Sequence, residues 1–154
     1  MKTRVLLITI LLMSHVCFAA DPKLTPSQQG LLEAGRKYPG AKVCQSSPHP
    51  ELQRLATYHA KYQAYCRTQG HQNWDHRMRT LRKRIGNFQF AEICAESWPW
   101  QQNESMYKLG WEMYWCWQRS SGHWSVASKK HRYYGADMAL GKDGIWYACI
   151  IVAD

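Results

Sequence analysis

Apolar residues along this chain keep a helical spacing through its first half and change to strand-like patterns toward its end. From Pro50 to Cys66, the positions Leu52, Leu55, Ala56, His59, Gln63 and Cys66 recur every three or four residues, which predicts a helix whose inward face runs down toward Gly70. Trp74, Met78, Leu81 and Ile85 repeat the spacing after Asn73, a residue suited to capping a helix start, and the arginines fall on the other side. Upstream, Thr25 and Pro26 open a helix through Leu31, Leu32 and Ala34 that Pro39-Gly40 stops. Met106 to Trp117 is helical again, with Met106, Gly110, Met113 and Trp117 on one face, widened by Trp111, Tyr114 and Trp115. Such a tryptophan stripe is either core or a carbohydrate- or lipid-contacting surface.

The pattern then shifts. Phe88 to Trp98 reads as an extended, half-buried segment in which Glu92 and Glu96 are the unusual members. Tyr134, Ala136 and Met138 alternate with Gly135, Asp137 and Ala139, and Lys142-Asp143-Gly144 supplies a hairpin turn. Ile145 to Val152 is apolar almost throughout, which predicts a central strand covered on both faces by helices. The fold class expected is α/β: a three-layer α-β-α sandwich with a small, mainly antiparallel sheet. Ala41 to Pro50 reads as loop. Gly122 is expected to turn the chain with φ > 0, presenting His123 from a rigid corner.

Composition adds a compartment and a charge. Lys2 and Arg4 precede an apolar run from Val5 to Met13, broken only by Thr9, which is the pattern of a secretory signal. Cys17-Phe18-Ala19 places the cut after Ala19, leaving residues 20–154 as a single domain, and the apolar run is too short for a membrane anchor. Removal of Lys2 and Arg4 takes the formal charge from +9 to +7. An exported, basic monomer that meets an anionic, lipid, envelope or host partner is the expectation, extracellular or periplasmic, with nucleic acid not an expected partner. The densest basic run, Arg77, Arg79, Arg82, Lys83 and Arg84, is either a solvated helix face or an anion site. Of the 6 cysteines, Cys17 leaves with the signal, and the odd number remaining requires at least one unpaired thiol. Asn103-Glu104-Ser105 is a formal glycosylation sequon.

Several chemistries are excluded by their missing motifs: no Gly-x-Ser-x-Gly elbow, no His-Glu-x-x-His pair, no phosphate-cradling glycine loop and no Cys/His zinc-finger spacing. The histidines carry what remains. His59 lies on an inward helix face, as a packed core residue or as a ligand. His71, at a helix entrance where the chain turns, is preferred for a pocket over His76, which lies about 200° around its helix from Trp74 and should face solvent.

Trp117-x-x-Ser120-x-Gly122-His123, then Tyr134-Gly135-Ala136 and Gly144-Ile145-Trp146-Tyr147, resembles the C-terminal half of the CAP superfamily (cysteine-rich secretory proteins, antigen 5 and pathogenesis-related proteins; the SCP-like domain), in its shorter bacterial-type members. Ala91-Glu92-Ile93-Cys94-Ala95 is similar to the family's Gly-Glu-Asn-Ile-Ala signature at Glu92 and Ala95, with Ile93 where the family has Asn. The resemblance implies that His71, Glu92 and His123 line a central cavity able to hold Zn²⁺ or another divalent cation, with Glu96 as second choice for the carboxylate. Ser120 stands where larger members carry a second acid. It further implies a disulfide between Cys94 and Cys149; Cys44, before the long helix, is expected to pair with Cys66 at the end of its inward face if residues 44–50 run back along that helix, leaving Cys116 unpaired. A secreted binding protein is the function implied; the alternative is a protease-like hydrolase using His71, Glu92 and His123. The competing structural account is a hydrogen-bonded polar core that only fixes the Gly122 corner.

Overall fold

The computed structural model describes residues 24–99 and 104–154; the expected signal, residues 1–19, and the sequon at Asn103 lie outside the described residues. Helices form where the apolar spacing calls for them. Helix α1 (Pro26–Lys37) begins with a capping box, the Thr25 hydroxyl accepting from the Gln28 backbone while the Gln28 side chain accepts from the Thr25 N–H. Helices α2 (Pro50–Cys66) and α3 (Trp74–Ile85) follow, α2 ending at Arg67 in the left-handed region, φ 52°. Asn73 precedes α3 at φ 57° and caps through no side-chain bond. Helix α4 (Met106–Gln118) is capped by Ser105, and a short α5 (Ser121–Ala127) comes next.

The strands are β1 (Ser47–Pro48), β2 (Phe90–Glu96), β3 (Tyr133–Leu140) and β4 (Trp146–Ala153). They form one mixed sheet in the order β1-β3-β4-β2, so the protein is α/β with five helices among the described residues. β4 pairs antiparallel with both β3 and β2, while the two residues of β1 add a parallel edge within the segment read as loop. The expected hairpin turn joins β3 to β4, with Gly144 at φ 78°.

Alternate residues of the strands enter two separate cores. Ile93, Ala95, Tyr134, Ala136, Met138, Ala148, Ile150 and Val152 pack with Leu31, Leu109, Met113, Tyr114 and Trp117 from α1 and α4. Cys94, Cys149, Ile151 and Ala153 pack with Leu52, Ala56, Ala60, Met78 and Leu81 from α2 and α3. Seven of the eight residues of β4 are buried, which is why the strand is apolar with no alternation. Two glycines set the approach of the helices. A Cβ at Gly135 would lie 2.2 Å from the α2 backbone at Leu52 and Gln53, and one at Gly110 would lie 2.7 Å from the Gly30 carbonyl on α1. Larger residues there would push α2 off the sheet and α4 off α1.

The corner at Gly122 is not formed as expected. Ser121 to Ala127 is one short helix, and Gly122 has no positive φ, because Ser120 C=O takes the Trp124 N–H and the turn continues with Ala127 buried beneath it. His123 therefore stands in the first turn of α5.

Candidate functional site

β2 delivers Glu92 and Cys94 to the α2–α3 side of the sheet, while Ile93 and Ala95 point into the opposite core. Strand alternation thus carries a carboxylate and a thiol to one place. β4 adds Cys149, the register partner of Cys94. α3 adds Arg77, α2 adds His59, and the turn between these helices adds His71. Arg77 belongs to the run read as either a solvated helix face or an anion site; it is 4% exposed, because it lies three residues after Trp74 and next to Met78, on the buried stripe. The other basic residues of that run, Arg79, Arg82, Lys83 and Arg84, are exposed.

Glu92 is the centre of the network, its side chain 1% exposed. Arg77 grips it with both guanidinium ends, Nη1 on Oε2 and Nη2 on Oε1 at 2.8 Å. His71 Nδ1 lies 3.0 Å from Oε1, and the Cys149 thiol donates to Oε2 across 3.6 Å. Those four contacts meet the roughly four lone-pair sites a carboxylate offers. Burial pushes the Glu92 carboxyl up, but the hydrogen bonds from Arg77 and His71 outweigh it and hold it at about 2. Glu92 is consequently an anion whose acceptors are taken. It orients its neighbours and has no lone pair left for a metal without losing one of them.

His71 is held from below and open above. Its side chain is 47% exposed, and its imidazolium is favoured by Cys94 and then by Glu92, against burial, up to about 10. The Cys94 sulfur lies 4.0 Å from Nδ1, at the limit of hydrogen-bond reach, so the 3.0 Å contact to Glu92 fixes the ring. Cys94 is pulled down to about 5, first by its contact with Cys149 and then, against burial, by His59 and His71. His123 stands beside His71 with ring centroids 6.0 Å apart and planes at 47°. Burial and then the neighbouring His71 charge lower His123. The three residues singled out from sequence are thus neighbours, with Glu92 beneath His71 and His123 alongside it.

His59 is a buried, hydrogen-bonded core histidine. Nε2 donates to the Gly70 carbonyl at 2.8 Å and lies 3.6 Å from Glu92 Oε1, which leaves Nδ1 as an acceptor without a partner among the described residues. His59, Glu92 and Cys94 offer ligand atoms within 4.8 Å of one another, a set able to hold a metal ion in principle. The Arg77 guanidinium, however, lies 3.4 Å from His59 Nε2 and occupies both Glu92 oxygens. A cation there would face a fixed positive charge.

Comparison with family models and with curated proteins finds no match for this chain. Function is therefore argued from the site.

Glu96 and His76 are exposed, and neither joins the network. The expected pairing of Cys44 with Cys66 is not formed. Cys44 is buried in the α1–α4 core, its sulfur 3.1 Å from the Tyr114 hydroxyl, whereas Cys66 is exposed at the end of α2, on the other side of the sheet. The expected Cys94–Cys149 disulfide is not formed either: the two face each other across β2 and β4 as free thiols, and Cys116 is also free. Arg77 and Cys149 are the members of the network that periodicity left unassigned. Their signal was there: an arginine three positions after an inward tryptophan, and a cysteine in a strand otherwise made of hydrocarbon and aromatic side chains.

Proposed function

We propose that this chain is an exported binding protein of the CAP-like, three-layer α-β-α kind, whose recognition centre is the His71–His123 pair. The observation that carries this reading is the pair itself: two half-open imidazoles side by side, one fixed by a buried carboxylate that is fully hydrogen-bonded. With Nδ1 of His71 engaged by Glu92, Nε2 is the nitrogen left for an outside ligand. A carboxylate behind a ligating histidine is the usual support for a metal-bound imidazole, fixing its tautomer and orientation. Zn²⁺ or another divalent cation fits two such nitrogens, with water filling the remaining positions. His71 and His123 would hold it, and Glu92 would position His71 without being a ligand. Binding is weak at neutral pH, since the metal must displace the proton on His71, and it strengthens as pH rises.

Support for the CAP-like reading comes from the order of the landmarks His71, Glu92 and His123 along the chain and from helices lying against both sets of strand residues. Exposed aromatic and basic side chains occur on both layers: Tyr58 and Tyr65 on α2 with Arg79 and Lys83 on α3, and on the other side Trp115 on α4, with Arg119 over its ring at 4.7 Å. This composition suits an anionic envelope, lipid or host surface.

Zinc titration of the metal-free protein by calorimetry at about pH 8 tests the centre, with His71→Ala and His123→Ala variants of unchanged circular dichroism as controls. Heat of binding in the native protein and its loss in both variants is the expected result. Identical heats in all three leave only a structural network.

A second reading, a hydrolase, is favoured by one observation. His71 is held protonated while His123 is held toward the neutral form, the opposite states needed for a general acid beside a general base. Turnover of an ester or peptide substrate that disappears in His123→Ala and persists in the presence of a metal chelator distinguishes it from the first.

A further inference from the structure

We propose that Cys94 and Cys149 are a redox-active pair that closes into a disulfide across β2 and β4, at the base of the His71–Glu92 network. The argument rests on sheet register. Gln89 and Asp154 exchange both backbone hydrogen bonds, each 3.0 Å, which makes them a hydrogen-bonded pair of the antiparallel ladder. Such pairs alternate with non-hydrogen-bonded ones along the strands. Counting from Gln89 opposite Asp154, the Cys94–Cys149 pair falls on the non-hydrogen-bonded class. The far end agrees: Ser97 N–H donates to Trp146 C=O at 2.9 Å, as the same alternation requires. In a non-hydrogen-bonded pair the Cα atoms lie about 4.5 Å apart and the side chains are at their closest. That separation is at the short end of the range disulfides span, about 4.4 to 6.8 Å.

Both sulfurs are on the same face of the sheet, both are buried and both are free. The remaining described cysteines are occupied or remote: Cys44 bonds Tyr114, Cys66 is exposed at the end of α2, and Cys116 is half-buried on α4. The location gives the bond a consequence. Closing it withdraws the Cys149 donor from Glu92 Oε2, leaving Arg77 and His71 to hold the carboxylate, and it removes the Cys94 thiol that faces His71 Nδ1.

Oxidation proceeds by exchange with a low-molecular-weight disulfide. One cysteine, as thiolate, attacks the donor S–S bond and releases one donor thiolate. The second cysteine then attacks the protein sulfur of the mixed disulfide, forming the Cys94–Cys149 bond and releasing the second donor thiolate. The two thiol protons end on the two released donor molecules, and the dithiol loses the two electrons that the donor gains. The inference holds whether or not His71 and His123 bind metal.

Because both sulfurs are buried, the test is made during folding. Reduced, denatured full-length protein is refolded in a mixture of oxidised and reduced glutathione, quenched in acid, alkylated and digested without reduction for peptide mapping. The expected product is a linked pair of peptides bearing Cys94 and Cys149, lighter than their sum by two hydrogens, which dithiothreitol converts back to two alkylatable thiols. Cys94→Ser and Cys149→Ser should each abolish that link without another cysteine taking its place. Natively folded wild-type protein with both cysteines alkylated, or with either one joined to a different cysteine, would overturn the proposal even if the variants fail to fold.

Discussion

The two sides of the sheet are built from the same strands and obey different physics. On the α1–α4 side, Ile93, Ile150, Leu109, Met113 and Trp117 make a hydrocarbon and aromatic core held by area and fit. One step along each strand, on the α2–α3 side, Glu92, Cys94 and Cys149 meet Arg77 and His59 in a network of charge. Burying charge costs several kcal/mol per ion unless every group is paired. The lesson is that the buried charge of Glu92 is tolerated because its oxygens are saturated, and that saturation is what leaves His71 held at one nitrogen and open at the other.

Breaking one partner should show this most strongly. Arg77→Met strips the buried Glu92 of its bidentate partner and leaves the half-exposed His71 as its nearest cation, and urea unfolding should show a loss of about 3 to 5 kcal/mol. Adding Glu92→Leu to that variant should recover most of the loss. A double variant no more stable than Arg77→Met would mean the two charges are not acting as a pair.

The pH dependence separates the two sides next. His71 is raised from 6.5 to about 10, so its contribution is complete below pH 6.5 and is lost as pH rises through about 10. Cys94 is lowered from 9.0 to about 5, so its contribution is complete above pH 9 and is lost as pH falls through about 5. Between about pH 6.5 and 9 the folded and unfolded chains bind the same number of protons at this pair, and its contribution is level. Stability from this source should therefore rise from about pH 5 to 6.5, hold, and fall from about pH 9 to 10. Cys94→Ser should abolish the acid-side rise; denaturant melts across this range that keep it in the variant would assign it elsewhere.

On the hydrocarbon side, Ile150→Val should cost about 0.5 to 1.5 kcal/mol, with the same loss at every pH tested. Smallest of all, Glu51→Ala removes a surface carboxylate shared by Arg54 at 2.9 Å and Arg84 at 3.2 Å, and should change stability by no more than about 1 kcal/mol. A larger loss there would mean that the outer side of α2 and α3 also carries structural charge.

What could be read from the sequence divides along the same line. Apolar periodicity marks α2, α3, α4 and the apolar β4, because a core held by area repeats at the period of its element. The network has no period. Arg77 sits in a basic run that reads as a solvated face or an anion site with nothing to single it out, and its burial is decided by Glu92, which a separate strand brings under α3. Cys44 and Cys66 are near in sequence, but the intervening chain places them on opposite sides of the sheet. At Gly122, local turn preference gave way to a short helix anchored by the buried Ala127.

The central claim is that His71 and His123 form one ligand-binding pair held from behind by Glu92. It is tested most directly by nuclear magnetic resonance of the imidazole ring nitrogens during a zinc titration. The account predicts that His71 Nε2 and one nitrogen of His123 shift along one saturation curve, while His71 Nδ1 keeps its proton toward Glu92 and His59 does not move. Shifts confined to half-buried His49 or exposed His76, or a signal from His59 with none from His71, would contradict it.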